Sequence, residues 1–408
     1  MRTQEDLEAL LLADDYTYDP YPAYAVLRDL GPVWFEPWRQ WIIARHQDVR
    51  SVLRQDGKTF TAAGRVSQVL DGLPAAERAQ YSLLRRHFSR GLLHSDPPDH
   101  TRLRRIVAPA LTPGGIRPLE PRVRELVQSL LDSLAGEPEF DIVARFAFPL
   151  PATIVAELIG IPDVAIEDNR VWASDISGFF GNNRPSPELL SKGQESLRAA
   201  RAFVSELAEA RRACPEADLI TRLASAPNVD DADLLNTCTT FIAGGHETTV
   251  GLITSAVCSL ARFPEQEALL RGGKVGMETA IEEFLRFESP NQRIVRIATA
   301  DIAIGGAEIR SGERVMLLLG AANRDESVFD APDELNLARD PNDHLAFAGG
   351  VHLCAGAYLA RMEGAIAIRA LLDAYPRIGI TDRRLDWARV HGLRMLKSLN
   401  VRVQTPTT

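Results

Sequence analysis

The sequence predicts a mainly α-helical protein with small β-sheets. Apolar residues recur every three or four positions over long stretches, 119–134, 231–264 and 357–375, whereas the β-type apolar runs, 33–35, 41–44 and 315–319, are short. No internal repeat or low-complexity linker interrupts the 408 residues, so residues 1–408 are read as one domain. A hydrophobic content of 45% is enough for a substantial core, and a net charge of −9 without a basic stripe argues against nucleic-acid binding. The N-terminus has no apolar core for a signal peptide and no run reaches the length of a bilayer span. The expectation is a cytoplasmic protein with no membrane anchor. Cysteines 214, 238, 258 and 354 show no paired or metal-type spacing, which fits a reducing compartment and predicts no disulfide.

Taken in order, Asp19-Pro20-Tyr21-Pro22 opens a helix through Tyr24, Leu27 and Leu30, and the runs 33–35 and 41–44 read as a hairpin. After a short helix at 48–53, the stretch 59–96 loses periodicity and reads as a wall or lid of a substrate site. His100 and Arg104, four apart on a helix burying Leu103, Ile106, Val107 and Leu111, project from one face. Segments 119–134 and 149–158 are scaffold helices, while 172–186, with Phe179, Phe180 and Gly181-Asn182-Asn183, reads as a loop. The stretch 231–264 is long enough to cross the domain, yet carries Ala243-Gly244-Gly245-His246-Glu247-Thr248-Thr249 at its middle. Each glycine there costs about 1 kcal/mol relative to alanine, which marks close approach of a ligand or neighbour. A buried Glu beside Thr offers an acid and a hydroxyl for relaying protons; the plainer alternative is a packing crossover with a solvated Glu247.

Glu283 and Arg286, three apart on a helix at 277–287, are neighbours on one face, a pair that is usually exposed and weak. The chain then passes through Gln292 to Ala298, glycines at 305, 306 and 312, and the strand 315–319 to the loop Phe347-Ala348-Gly349-Gly350-Val351-His352-Leu353-Cys354-Ala355-Gly356. Its small residues admit a flat ligand, and Cys354 at the start of the helix 357–375 has its thiolate favoured by free amides and the helix dipole. A thiolate aimed at a flat partner suggests haem ligation; a buried structural cysteine is the plain alternative. The tail 392–403 reads as a closing hairpin whose tip, near Met395 and Leu396, reaches the pocket.

The Cys loop resembles the signature of the cytochrome P450 haem-thiolate monooxygenases: a Phe, a Gly three residues on, a basic residue two before the Cys and a Gly two after it. Ala348 departs from the pattern, which more often has Gly. Gly244, Gly245, Glu247 and Thr248 match the family's oxygen-activation stretch, and the resemblance runs through nearly the whole chain. It implies a cytochrome P450 fold with haem b (iron protoporphyrin IX) between the long central helix and the Cys-ligand loop, Cys354 being the metal ligand. It further implies propionate partners at His100, Arg104, Arg296 and His352, catalytic roles for Glu247 and Thr248, and a brace of Glu283, Arg286 and Arg339. The implied reaction inserts one atom of dioxygen into a small, largely apolar substrate by hydroxylation, epoxidation or O-dealkylation. Electrons would come from a ferredoxin-type donor with a separate reductase, for which Arg102, Arg105 and Arg361 are docking candidates. Candidate pocket residues are Phe179, Phe180, Thr240, Ala243, Gly244, Ile294, Val295 and Leu396, with Arg65, Arg184, Gln292 and Arg293 leaving room for a polar or anionic group. A peroxide-driven peroxygenase and a non-catalytic haem sensor are the alternatives; the intact Glu247 and Thr248 pair weighs against the first.

Overall fold

The computed structural model describes residues 4–180, 185–388 and 392–404. Helical periodicity becomes packing directly. The helix Glu120–Ser133 buries Val123, Val127 and Leu131, and Pro149–Ile159 buries Leu150, Ile154 and Val155. Both join the largest apolar core, to which Glu247–Arg262 adds Val250, Ile253 and Val257, and Ala357–Ala374 adds Leu359, Ala367 and Leu371. Pro149–Ile159 stops at Gly160, whose φ of 102° is left-handed. A Cβ there would stand 2.3 Å from the Asp218 carboxylate, so glycine is required on both counts. Among the described residues no helix is long and apolar enough to cross a membrane.

The main sheet has five strands in the order Val33–Phe35, Gln40–Ile43, Arg314–Leu318, Arg293–Ala298, Phe60–Thr61. The expected hairpin pairs Trp34 with Trp41, but its second strand then runs parallel to the distant 314–318 strand, with Trp41 opposite Val315. Arg293–Ala298 is antiparallel to 314–318 and sets Arg296 opposite Val315. The sheet thereby carries Ile294, Val295 and Arg296 to the edge of the cavity described below.

Several expectations are corrected. The 59–96 stretch contains short helices at Arg65–Asp71, Ala75–Gln80 and Ser82–His87, held by tertiary contacts that its local pattern does not announce. The loop expected at 172–186 is helical as far as Phe180, in Ile166–Phe180, which packs along the long helix Pro187–Ala213; residues 181–184 lie outside the described residues. The central stretch forms two helices, Asp231–Gly244 and Glu247–Arg262. At the break, a Cβ on Gly245 would sit 2.5 Å from the Phe241 carbonyl oxygen and 2.8 Å from Val155, so a side chain is excluded there. His246 turns its buried ring edge-on to Phe148, 5.3 Å away. Nor does the tail pair with itself: Leu396–Ser398 joins Asp386–Trp387, and Asn400–Gln404 lies between Glu139–Asp141 and Arg377–Ile380.

Candidate active site

A cavity of about 450 Å³ is lined by Thr240, Ala243, Gly244, Glu247 and Thr248 from the broken central helix and by Phe347, Ala348, His352, Cys354 and Gly356 from the Cys loop. The loop is closed by its own backbone, the Cys354 N–H donating to the Phe347 carbonyl at 3.0 Å and the Ala348 N–H to Leu345 at 2.8 Å. Gly350 has φ = 64° and a Cβ there would stand 2.1 Å from the Leu53 carbonyl oxygen, so this turn accepts only glycine. Ala348, where the resemblance more often has Gly, also sits at φ = 57° in the left-handed region, a conformation that costs an L-residue about 1 kcal/mol.

Cys354 lies just ahead of Gly356, which caps the helix Ala357–Ala374. It is exposed by accessible surface, yet that surface belongs to the cavity and protein encloses it. Enclosure pushes the thiol up, against weaker opposing pulls from the Gly356 N–H, Arg104 and Arg361. In the protein alone, then, desolvation outweighs the helix-terminus effect expected from the sequence.

Behind the loop, Glu283 and Arg286 are fully buried and paired at 2.7 Å, and Arg339 reaches the same carboxylate at 3.1 Å. Arg286 also donates to the carbonyls of Asn323 (2.9 Å), Pro332 (2.8 Å) and Glu334 (3.1 Å). Beside them Arg361 stacks on Phe347, 4.4 Å to the ring centre, and pairs with Glu282 at 2.6 Å, tying the Cys-loop helix to Met277–Phe287.

A cationic cluster occupies one edge of the cavity. His100 and Arg104 line it from Asp99–Leu111, Arg296 and His352 from the sheet and the Cys loop, and Arg65 and Arg314 join them. Arg296 is held bidentately by Asp56, at 2.6 and 2.8 Å, both side chains buried. Burial, Arg296 and Arg314 pull Arg65 down to about 9 against Asp56 and Asp96. Burial, His352 and Arg104 pull His100 down to about 4 against Asp96. The His352 ring is 4% exposed, and its Nε2, 3.7 Å from Asp96, has no hydrogen bond.

The acid side is under-satisfied. Burial pushes Glu247 up to about 7, opposed by the Ser177 hydroxyl, and its Oε2 makes no hydrogen bond. Ser177 in turn donates to the Ala243 carbonyl at 2.9 Å. A second cavity acid, Glu363 on the Cys-loop helix, is pushed by burial up to about 8. The Thr249 hydroxyl lies near enough to oppose that shift, but neither Glu363 oxygen is placed for a hydrogen bond.

These features fit a haem. A Cβ built on Gly244 or on Gly356 meets no protein atom within 4 Å, so protein packing does not require glycine at either cavity position, while a flat ligand would. Four arginines at the polar edge, 65, 104, 296 and 314, face two aspartates, 56 and 96, leaving an excess of two positive charges that two propionates would match. The His352 Nε2, which makes no hydrogen bond, would be a donor for the same carboxylates.

Thr240, Ala243, Gly244, Ile294 and Val295 line the cavity as expected of pocket residues, together with Arg65 and Arg293. Leu396 does not; it is wholly buried in the core, and Gly392 and Leu393 line the cavity in its place because the tail pairs elsewhere. Gln292 is buried, with Tyr24 donating to it at 2.9 Å. The side chains of Phe179 and Phe180, and Arg184 altogether, lie outside the described residues. Asp56, Ser177, Arg314 and Glu363 were missed. Only Glu363 left a sequence signal, a carboxylate within the apolar periodicity of 357–375.

The family model described as Cytochrome P450 matches residues 277–376. The chain is 34% identical over 395 residues to the biotin biosynthesis cytochrome P450 of Bacillus subtilis (strain 168), covering 95% of this chain and 97% of that one. It is 31% identical over 413 residues to the 6-deoxyerythronolide B hydroxylase of Saccharopolyspora erythraea, covering 99% and 100%. Among solved structures, P450BioI in complex with an acyl carrier protein ligated to hexadec-9Z-enoic acid superposes with a TM-score of 0.89 at 34% identity, covering 96% of this chain and 100% of that one.

Proposed function

This chain belongs to the cytochrome P450 family, an oxidoreductase class whose members bind haem b, and on that premise we propose that it inserts one atom of dioxygen into a small, largely apolar organic substrate. The observation that carries the reading is one cavity that brings the Cys354 sulfur, the buried Glu247 and the half-buried Thr248 to a common space. Residues 1–408 are read as a single domain. Cys354 would ligate the iron, and His100, Arg104, Arg296 and His352 would bind the propionates, guanidinium geometry suiting carboxylates. As in haem-thiolate proteins generally, the bound haem supplies dioxygen activation, aided by electron density from the thiolate.

The remaining roles belong to this chain's own groups. Glu247 retains a proton at its buried carboxyl near neutral pH, and the Thr248 hydroxyl beside it extends a proton path into the cavity. Ser177 steadies the Ala243 carbonyl one turn ahead of that acid. Val66, Leu92, Ile294 and Val295 line an apolar chamber that excludes water from an oxidisable substrate. Glu283, Arg286 and Arg339 fix the base on which the thiol loop rests. Cys354→Ser tests the whole reading: the thiolate-type spectrum of the carbon-monoxide adduct should vanish while far-UV circular dichroism is retained, and an unchanged spectrum would refute it.

Electrons are proposed to arrive from a ferredoxin-type donor with a separate reductase. Arg102 and Arg361 are already paired with Asp233 (2.8 Å) and Glu282, whereas Arg105 is exposed on the rim of an open groove beside Pro97 and Asn228. Arg105→Glu should slow reduction by an acidic ferredoxin a few-fold at low salt and flatten its salt dependence, because a rim charge acts mainly through encounter. Unaltered kinetics would remove Arg105 from the docking face.

A further inference from the structure

We propose that Asp56 is a positioning residue for the haem-propionate edge, holding the Arg296 guanidinium so that its remaining donors stay fixed for a propionate; this rests on the propionate role of Arg296 proposed above. Asp56 takes Nε and one N–H of Nη2, and the Val295 carbonyl takes one N–H of Nη1 at 3.0 Å. Of the five donors in an arginine fork, one N–H on each terminal nitrogen is therefore left for a further acceptor.

The need for such a holder is electrostatic. Arg65 lies close enough to feel the like charges of both Arg296 and Arg314, and without Asp56 the repulsion between Arg65 and Arg296 favours Arg296 swinging away from the edge. Asp56 is also well placed to link the pocket's parts. It follows the helix His46–Arg54, whose Leu53 carbonyl abuts Gly350 of the Cys loop, and the adjoining Gly57 abuts Pro97, just ahead of the helix bearing His100 and Arg104. A buried ion pair is not in general a source of net stability, which favours a positioning role for this one.

The test measures transfer of haem from the purified holoprotein to an excess of apoglobin, in wild type, Asp56→Asn, Asp56→Glu, Arg296→Gln and the double variant Asp56→Asn/Arg296→Gln, with the haem reduction potential read alongside. Asp56→Asn should transfer haem about tenfold faster than wild type, as expected when an outer-shell partner is lost, and its potential should rise because a negative charge is removed. Asp56→Glu, which keeps the charge, should stay within about twofold of wild type. In the Arg296→Gln background the Asp56→Asn effect should disappear. If Asp56→Asn accelerates transfer equally in both backgrounds, Asp56 is merely structural and the proposal is overturned. It is equally overturned if Asp56→Asn leaves transfer unchanged. If Arg296→Gln itself loses haem no faster than wild type, the propionate reading of Arg296 fails first and the role of Asp56 falls with it.

Discussion

Two glutamates on neighbouring parts of the fold are both buried, Glu283 fully and Glu247 to 5% exposure, and live in opposite surroundings. Glu283, under the Cys loop, accepts five hydrogen bonds, from Arg286 twice, Arg339, Asn336 and Asn342. Glu247, at the break in the central helix, has an oxygen with no partner and only a serine hydroxyl opposing the desolvation that raises its pKa. Burial alone therefore does not decide what a carboxylate does. Saturated with donors and matched by guanidinium groups, it becomes a fixed joint; left under-satisfied beside a cavity, it becomes a group able to hold or release a proton near neutral pH.

Replacing the two residues separates these roles. Glu283→Ala strands Arg286 and Arg339 as buried charges and should destabilise the protein by about 3–5 kcal/mol in denaturant unfolding. A loss below about 1 kcal/mol would mean that the brace behaves like a surface pair. Glu247→Gln should leave the unfolding midpoint nearly unchanged at about pH 4.5, where the folded wild type carries a neutral carboxyl, but lower substrate-dependent turnover about 100-fold, at the low end of general acid–base contributions. Its pH signature follows from the sign of the shift. The folded-state value, about 7, lies above the unfolded one, so from about pH 4.5 to 7 the folded protein carries a proton that the unfolded chain lacks. Stability from this group is present at acid pH and declines, by at most about 1.4 kcal/mol per pH unit, as pH rises through that window. Glu247→Gln should remove that contribution, and a pH–stability curve superposing on wild type would show that the acid is not perturbed. The smallest effect tests the joint itself: Ala348→Gly relieves a left-handed alanine and should stabilise by up to about 0.6 kcal/mol, the relief of about 1 kcal/mol less the added unfolded-state entropy of glycine. A destabilisation would mean that the loop needs the methyl group for packing.

The joint was far more legible in the sequence than the cavity's polar edge. Glu283 and Arg286 are three apart on a strongly amphipathic helix, and the glycines of the Cys loop are local signals, so short-range periodicity and turn chemistry marked the positions, while the brace itself was implied only by the family resemblance. Asp56 and Arg296 are 240 residues apart, and Arg361, an apparently free surface cation, meets Glu282 only once two helices pack. The helix Ile166–Phe180 was hidden for a different reason. It buries Ala173, Ile176 and Ser177 but exposes Val171, so its apolar stripe is blurred by serving both a helix partner and the cavity wall. The glycine pair suggested close approach, which Gly245 shows against Val155 of another element, but not that the helix stops at Gly244.

The parallel pairing of Gln40–Ile43 with Arg314–Leu318 has a consequence for biosynthesis. The Gln40 amide meets the Met316 sulfur across 276 residues of sequence, and the 293–298 strand and the Cys loop also lie late in the chain. A ribosome releases the N-terminal hairpin long before its neighbour exists, leaving an open strand edge that must be kept from pairing with other chains. The same order would delay the cofactor: the thiol and half of the proposed propionate edge emerge only in the last third of synthesis, so haem held by them would be captured by a nearly finished polypeptide, together with closure of the slow, non-local sheet.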